Sequence, residues 1–196
     1  MTTTTLRELN DFDATPARLA DATLILVDYQ NTYTQGVMEL EGWQSAIAEA
    51  SQLLALARAQ GAKVIHVIND GGAGTPYDIR SEIGQIHPDM APIDAEPVVV
   101  KQVPNAFVGT TLAQEVDAVG RKSLVIAGFM THMCVAFTTE GAFLRGNQAT
   151  VVANACATRS LPSVAGAVPA AQLHQGALAT IADLFGVVVE SRSDLQ

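Results

Sequence analysis

Three residues of the 196-residue chain combine types and positions suited to nucleophilic catalysis: Asp28, Lys101 and Cys134. A thiol attacks a carbonyl carbon as its thiolate. A carboxylate can take the thiol proton and return it to a leaving nitrogen, and an ammonium stabilises both anions. Cys134 stands in the first turn or two of a segment with helical spacing, where a helix N-terminus and a nearby ammonium are expected to lower the thiol pKa. Backbone N–H groups around residues 130–134 are then available to an oxyanion, the usual companion of acyl transfer. Taken singly, each residue has an ordinary reading. A buried cysteine packs as a small hydrophobe, an Asp after a strand caps a turn, and a Lys ends an apolar run by returning to water. Falling together on one rim, they indicate a site.

That rim follows from the elements. Six short apolar runs rich in β-branched residues recur at 24–28, 63–69, 97–101, 123–128, 149–153 and 186–190. They are nearly all apolar instead of alternating, the pattern of strands buried on both faces of a parallel sheet. Between them lie helical spacings. One runs over 43–60, with Ile47, Leu53, Leu54 and Leu56 near one face and Gly61 at the C-cap. Another carries Leu112, Val116 and Val119, capped by Thr110 or Thr111 and ended by Gly120. Two more cover 132–144 and 169–185, closed by Gly146 and Gly186. The repeated β-α-β order predicts a doubly wound, mostly parallel six-stranded α/β sheet flanked by helices, a Rossmann-like three-layer architecture. Ligands of such sheets bind beyond the strand carboxyl ends, where strand order reverses. Asp28, Lys101 and Cys134 fall at or just after the ends of strands one, three and four.

Residues 1–22 precede the first strand and read as an arm on a single domain spanning 23–196. The Gly- and Pro-rich connection 70–96 lacks a clear full-length helix and is expected to form a wall of the site. Composition narrows the function classes. The chain is 48% hydrophobic and 16% charged, which excludes disorder. A net charge of −9 disfavours nucleic acid and anionic membranes as partners. No apolar run approaches the about 18–20 residues of a membrane span, and the amino terminus lacks a signal-peptide core. Two cysteines make no disulfide framework, so a cytoplasmic placement is expected. Cys156, 22 residues beyond Cys134, has no metal-type spacing or adjacent base and reads as packing.

Three segments carry a more specific resemblance: Leu-Ile-Leu-Val-Asp-Tyr-Gln-Asn-Thr-Tyr at 24–33, Lys101 followed by Asn105-Ala106-Phe107, and Gly-Phe-Met-Thr-His-Met-Cys-Val at 128–135. With Val-Val-Ala-Asn-Ala-Cys-Ala-Thr at 151–158, the chain resembles the isochorismatase-like cysteine hydrolase family over about residues 22 to 190. That family includes nicotinamidases, carbamoyl-amide hydrolases and similar small amidases. The resemblance implies an Asp28–Lys101–Cys134 triad and no cofactor. It also implies a cis peptide at Phe129–Met130, which would aim the Met130 N–H at the oxyanion beside the Cys134 N–H. Tyr33 and Phe107 fall where the family places aromatic pocket walls, and a homo-oligomer, dimer or tetramer, is common. His132 is close enough to Cys134 to line the pocket or simply sit in the first turn.

One departure bears on substrate. Metal-containing nicotinamidases place an Asp-x-His pair and a further His after strand two, where this chain reads Asn-Asp-Gly-Gly-Ala-Gly at 69–74. No metal is expected, and nicotinamide is disfavoured. His66 in a strand, His87 in the loop and His174 on a helix read as structural. The leading expectation is a cysteine-dependent hydrolase of a small amide or ureide. One alternative is vinyl ether hydrolysis of the isochorismate type, against which the cysteine argues. The other is a non-catalytic binding protein with a retained pocket.

Overall fold

The computed structural model describes residues 3–93 and 96–195; positions 1–2 of the arm, 94–95 of the long connection and the final residue lie outside the described residues. The arm carries a four-residue helix, Leu6–Leu9 (α1), closed by a capping box between Thr5 and Glu8. The arm docks on its own chain. The Leu6 N–H donates to Asp183 Oδ1 at 2.9 Å, Arg7 Nη1 to the Leu184 carbonyl at 3.2 Å, and the Ala17 N–H to Thr150 Oγ1 at 2.9 Å.

The domain alternates strand and helix: Thr23–Val27 (β1), Trp43–Ala59 (α2), Lys63–Asn69 (β2), Val98–Lys101 (β3), Leu112–Val119 (α3), Ser123–Gly128 (β4), Ala136–Leu144 (α4) and Gln148–Val152 (β5). A short antiparallel hairpin of Leu161–Ser163 (β6) and Gly166–Val168 (β7) precedes Ala170–Thr180 (α5) and Gly186–Val189 (β8). The hairpin was not legible in the sequence, because strands of three residues are too short to show a period. Six strands form one parallel sheet in the order β3-β2-β1-β4-β5-β8, so strand order reverses between β1 and β4. The five residues of β1 and the inner residues of β4 are fully buried, as their unbroken apolar runs predict. The edge strand β3 departs from that reading: Val98 and Val100 face solvent while Val99 and Lys101 are buried. An edge strand has no helix layer to cover both faces, and alternation returns.

Helix ends mostly follow the glycines. Gly61, Gly120 and Gly146 adopt the left-handed backbone expected past a helix end. Gly186 does not. Its φ is −168°, and it opens β8 where a side chain would meet the Ala149 carbonyl at 2.8 Å. Thr111 is the N-cap of α3 but makes no side-chain capping bond; Thr110 Oγ1, one residue earlier, accepts from the Leu112 N–H at 3.1 Å. Before α4 and after α5 the chain widens into π-helical turns, Thr131–Val135 and Ile181–Phe185.

Two interior details hold the frame. Gly128 has φ +153°, and a Cβ there would sit 2.1 Å from the Val27 carbonyl oxygen, so only glycine lets β4 close on the end of β1. His66, buried in β2, pairs with Glu96 at 2.9 Å, and Glu96 also accepts from Arg58 of α2. Burial alone would raise the Glu96 pKa. Hydrogen bonds from Arg58, His66 and the Ile93 N–H outweigh it and hold the carboxyl at about 2. No helix among the described residues is long and apolar enough to cross a membrane.

Gly128→Ala is expected to lose about 2–3 kcal/mol in urea unfolding, because the facing atom is backbone and cannot rotate away. Glu96 is ionised more readily folded than unfolded, so its stabilisation is present above its ordinary pKa of 4.5 and is lost as pH falls toward about 2. Urea midpoints measured across that window should fall steeply for the native chain and more gently for Glu96→Gln.

Candidate active site

The strand order brings the three sequence-identified residues together at the reversal point. Asp28 follows β1, Cys134 lies in the turn after β4, and Lys101 ends β3. The Asp28 N–H donates to the Val67 carbonyl at 2.9 Å, and φ is +53°, a left-handed conformation uncommon for a residue with a side chain. Strained backbone of this kind clusters at functional sites. Lys101 starts two strands away, roughly 10 Å across the sheet. Only a long side chain spans that gap, and it does so buried. Lys101 Nζ lies 2.7 Å from Asp28 Oδ2, donates to Cys134 Sγ at 3.3 Å and donates to Asn69 Oδ1 at 3.2 Å. Relative exposure is 0% for Asp28, 1% for Lys101 and 6% for Cys134.

Asn69 was not among the sequence candidates. It ends β2, so the rule that found Asp28 and Lys101 would have found it too. Gln30 holds it: the Gln30 amide donates to the Asn69 carbonyl at 3.0 Å and to the Gly84 carbonyl at 2.7 Å, and accepts from the Asn69 N–H at 2.8 Å. One buried side chain thus fixes the end of β2 and ties the long connection to it.

The peptide bond between Phe129 and Met130 is cis. The Met130 N–H has no hydrogen-bond acceptor among the described residues, while the Met130 carbonyl accepts from Met133 and Val135 N–H at 3.0 and 3.3 Å. Thr131 anchors the turn through its N–H and its hydroxyl, both donating to the Ala157 carbonyl at 3.0 and 3.1 Å.

Of the expected pocket residues, Tyr33 reaches the site. It is buried, packs edge-on against Phe129 and Tyr77 with ring centroids 5.8 Å away in each case, and its hydroxyl feels the charges of Asp28 and Cys134. Burial first, and those charges next, push its pKa well above the usual phenol value. Tyr77, in the 70–96 connection, was missed because nothing local distinguishes a loop tyrosine that folds back. Phe107, expected as a pocket wall, packs under the Arg145 guanidinium, 5.3 Å from its ring centroid, while the preceding Ala106 N–H donates to Thr138 Oγ1 in the first turn of α4 at 3.1 Å. His132 is half-buried, shares a 2.6 Å hydrogen bond through Nδ1 with Thr158 Oγ1 and lines the groove between α4 and α5. Cys156 is buried, its thiol directed at the Val152 carbonyl at 3.3 Å.

The electrostatics overturn one expectation. The Cys134 thiol is not acidified. Burial, followed by the Asp28 charge, pushes it up to about 12, against the opposing pull of Lys101. Burial also raises Asp28, opposed by Lys101 and the thiol. Burial would lower Lys101, but the Asp28 charge, with hydrogen bonds to Asp28 and to the thiol, carries it above its ordinary value. The low-dielectric site disfavours a second anion beside Asp28 more strongly than one ammonium favours it. The resting site therefore holds a neutral thiol beside a carboxylate–ammonium pair.

The isochorismatase domain model matches residues 22–193. The chain belongs to the isochorismatase family. It is similar to the crystal structure of an isochorismatase from Pseudomonas putida KT2440, with 38% identity, 98% of this chain and 99% of that one covered, and a TM-score of 0.95. The secreted isochorismatase effector Isc1 of Verticillium dahliae is 33% identical over 90% of this chain and 91% of its own. The maleamate amidohydrolase of Pseudomonas putida is 30% identical over 66% of this chain and 68% of its own. The fold, family and hydrolase class read from the sequence are thereby established.

A thiol held neutral by burial predicts no thiolate absorbance near 240 nm between about pH 6 and about pH 9 in the substrate-free protein. Appearance of that band in the native chain and its loss in Cys134→Ala would contradict the electrostatic account.

Proposed function

We propose that this isochorismatase-family hydrolase cleaves a small amide or ureide C–N bond through a thioester on Cys134. The observation that carries the reading is the single buried ammonium of Lys101, in contact with both the Asp28 carboxylate and the Cys134 sulfur. A carboxylate and a thiol converging on one cation form a nucleophile–base pair, which a mere binding pocket does not need. The relative named maleamate amidohydrolase supports the same class of bond.

The thiol begins protonated, so the first step is proton transfer to Asp28 as Sγ approaches the carbonyl carbon. Negative charge then leaves the carboxylate and appears on the substrate oxygen, where the uncommitted Met130 N–H serves as oxyanion donor beside the Cys134 N–H. Asp28 returns the proton to the leaving nitrogen, the C–N bond breaks, and ammonia or an amine departs from the thioester. Water attacks that thioester as Asp28 takes its proton. The acid leaves, and the thiol is protonated again. Lys101 stays charged throughout, holding Asp28 in place and in its basic form between steps.

Ammonia release from a panel of small amides and ureides tests the reading. Cys134→Ala should lose activity by at least about a thousandfold while its stability to urea stays within about 1 kcal/mol of the native chain. Full activity in that variant would remove the thiol from the mechanism.

A further inference from the structure

The proposed oxyanion donor is held from outside the sheet. The Phe129–Met130 peptide that carries the Met130 N–H is tethered on both sides. Before it, the Phe129 N–H donates to the Val27 carbonyl at 2.9 Å. After it, the Thr131 N–H donates to the Ala157 carbonyl at 3.0 Å. The second tether is doubled, because the Thr131 hydroxyl donates to the same carbonyl at 3.1 Å. Thr131 is fully buried, and its hydroxyl also meets His174 Nδ1 of α5 at 2.9 Å. His174 lies 43 residues further along the chain and is half-buried. From the sequence it reads as merely structural, and its place against the turn that carries Cys134 gives it a second role.

A hydroxyl has a single proton to give. Were it directed at His174, Oγ1 would face the Ala157 carbonyl oxygen at 3.1 Å with no proton between them, and the lone pairs would repel. With the proton on the Ala157 side, Oγ1 accepts from His174, so Nδ1 carries a hydrogen and Nε2 the lone pair. Burial lowers the His174 pKa and keeps the ring neutral at pH 7. The donors then run one way, from His174 to Thr131 to Ala157, and end beside the peptide that presents the Met130 N–H. An oxyanion donor works only where it points at the developing charge, and a misplacement of about 1 Å costs up to about a hundredfold in rate. Resting on the amidase reading above, we infer that His174, as its Nδ1–H tautomer, is a positioning residue that fixes the Met130 N–H through Thr131. It acts through the turn and not on the reacting atoms.

Nitrogen-15 NMR of the imidazole reads the tautomer in the native chain, and Nδ1–H is expected. Kinetics follow ammonia release from whichever amide or ureide of the panel is cleaved fastest. His174→Ala should lower kcat by at least about tenfold while KM stays within about twofold. His174→Asn, whose side-chain amide can stand where Nδ1–H does, should recover most of that loss. Alkylation of Cys134 by iodoacetamide, read by mass spectrometry, forms a C–S bond as iodide leaves and builds no oxyanion. Its rate should therefore stay within about twofold of the native chain in both variants. A merely structural histidine would slow alkylation and turnover together. An Nε2–H tautomer, an unchanged kcat in His174→Ala, equal loss in the Ala and Asn variants, or parallel loss of alkylation and turnover would each overturn the assignment alone. Failure of the native chain to release ammonia from any member of the panel would instead remove the amidase reading, and this inference with it.

Discussion

The contact between Asp28 and Lys101 sets the terms for everything around it. Two opposite charges 2.7 Å apart, both withdrawn from water, carry a desolvation cost of several kcal/mol per ion, and only close geometry with further hydrogen bonds offsets it. The surrounding architecture supplies the close geometry and, for the ammonium, the further hydrogen bonds. Asp28 turns into a left-handed conformation at the end of β1, Gly128 lets β4 approach within contact of Val27, and Lys101 crosses above β2 to reach the carboxylate. Asn69 takes another of the ammonium hydrogens, and Gln30 fixes Asn69. Remove any of these and a buried charge is left partly unpaired.

The same burial decides the chemistry. In a dry site a second negative charge beside Asp28 is unfavourable, and the thiol stays protonated. In the proposed reaction, activation waits for a substrate carbonyl, because only the forming C–S bond and the oxyanion donors give the displaced charge somewhere to go. In that reaction Lys101 would act less by acidifying sulfur than by keeping the proton acceptor charged and correctly aimed.

Around this centre lie two segments outside the parallel sheet. The 70–96 connection folds back to set Tyr77 against Tyr33, and the segment after β5 holds the turn that carries Cys134, its Ala157 carbonyl accepting from Thr131. Gln30 ties the first to the end of β2, and Thr131 ties the second to the Cys134 turn, so both brace the surroundings of the ion pair.

How much of this was legible in the sequence depends on how local the cause is. Unbroken apolar runs mark parallel strands wherever they occur, and 63–69 and 123–128 coincide with β2 and β4 to the residue. Glycines past helix ends act through their own backbone, so Gly61, Gly120 and Gly146 could be placed. The position of a polar residue at a strand's carboxyl end is likewise a one-dimensional fact, and it located Asp28, Lys101 and Cys134. Tertiary structure alone decided the rest. Three-residue strands such as β6 and β7 exist only because they pair with each other. Phe107 went to Arg145, and Tyr77 to Tyr33, through contacts between segments far apart in the chain. The state of the thiol was decided last of all, because a pKa depends on how much water the completed fold excludes, and no stretch of sequence contains that quantity.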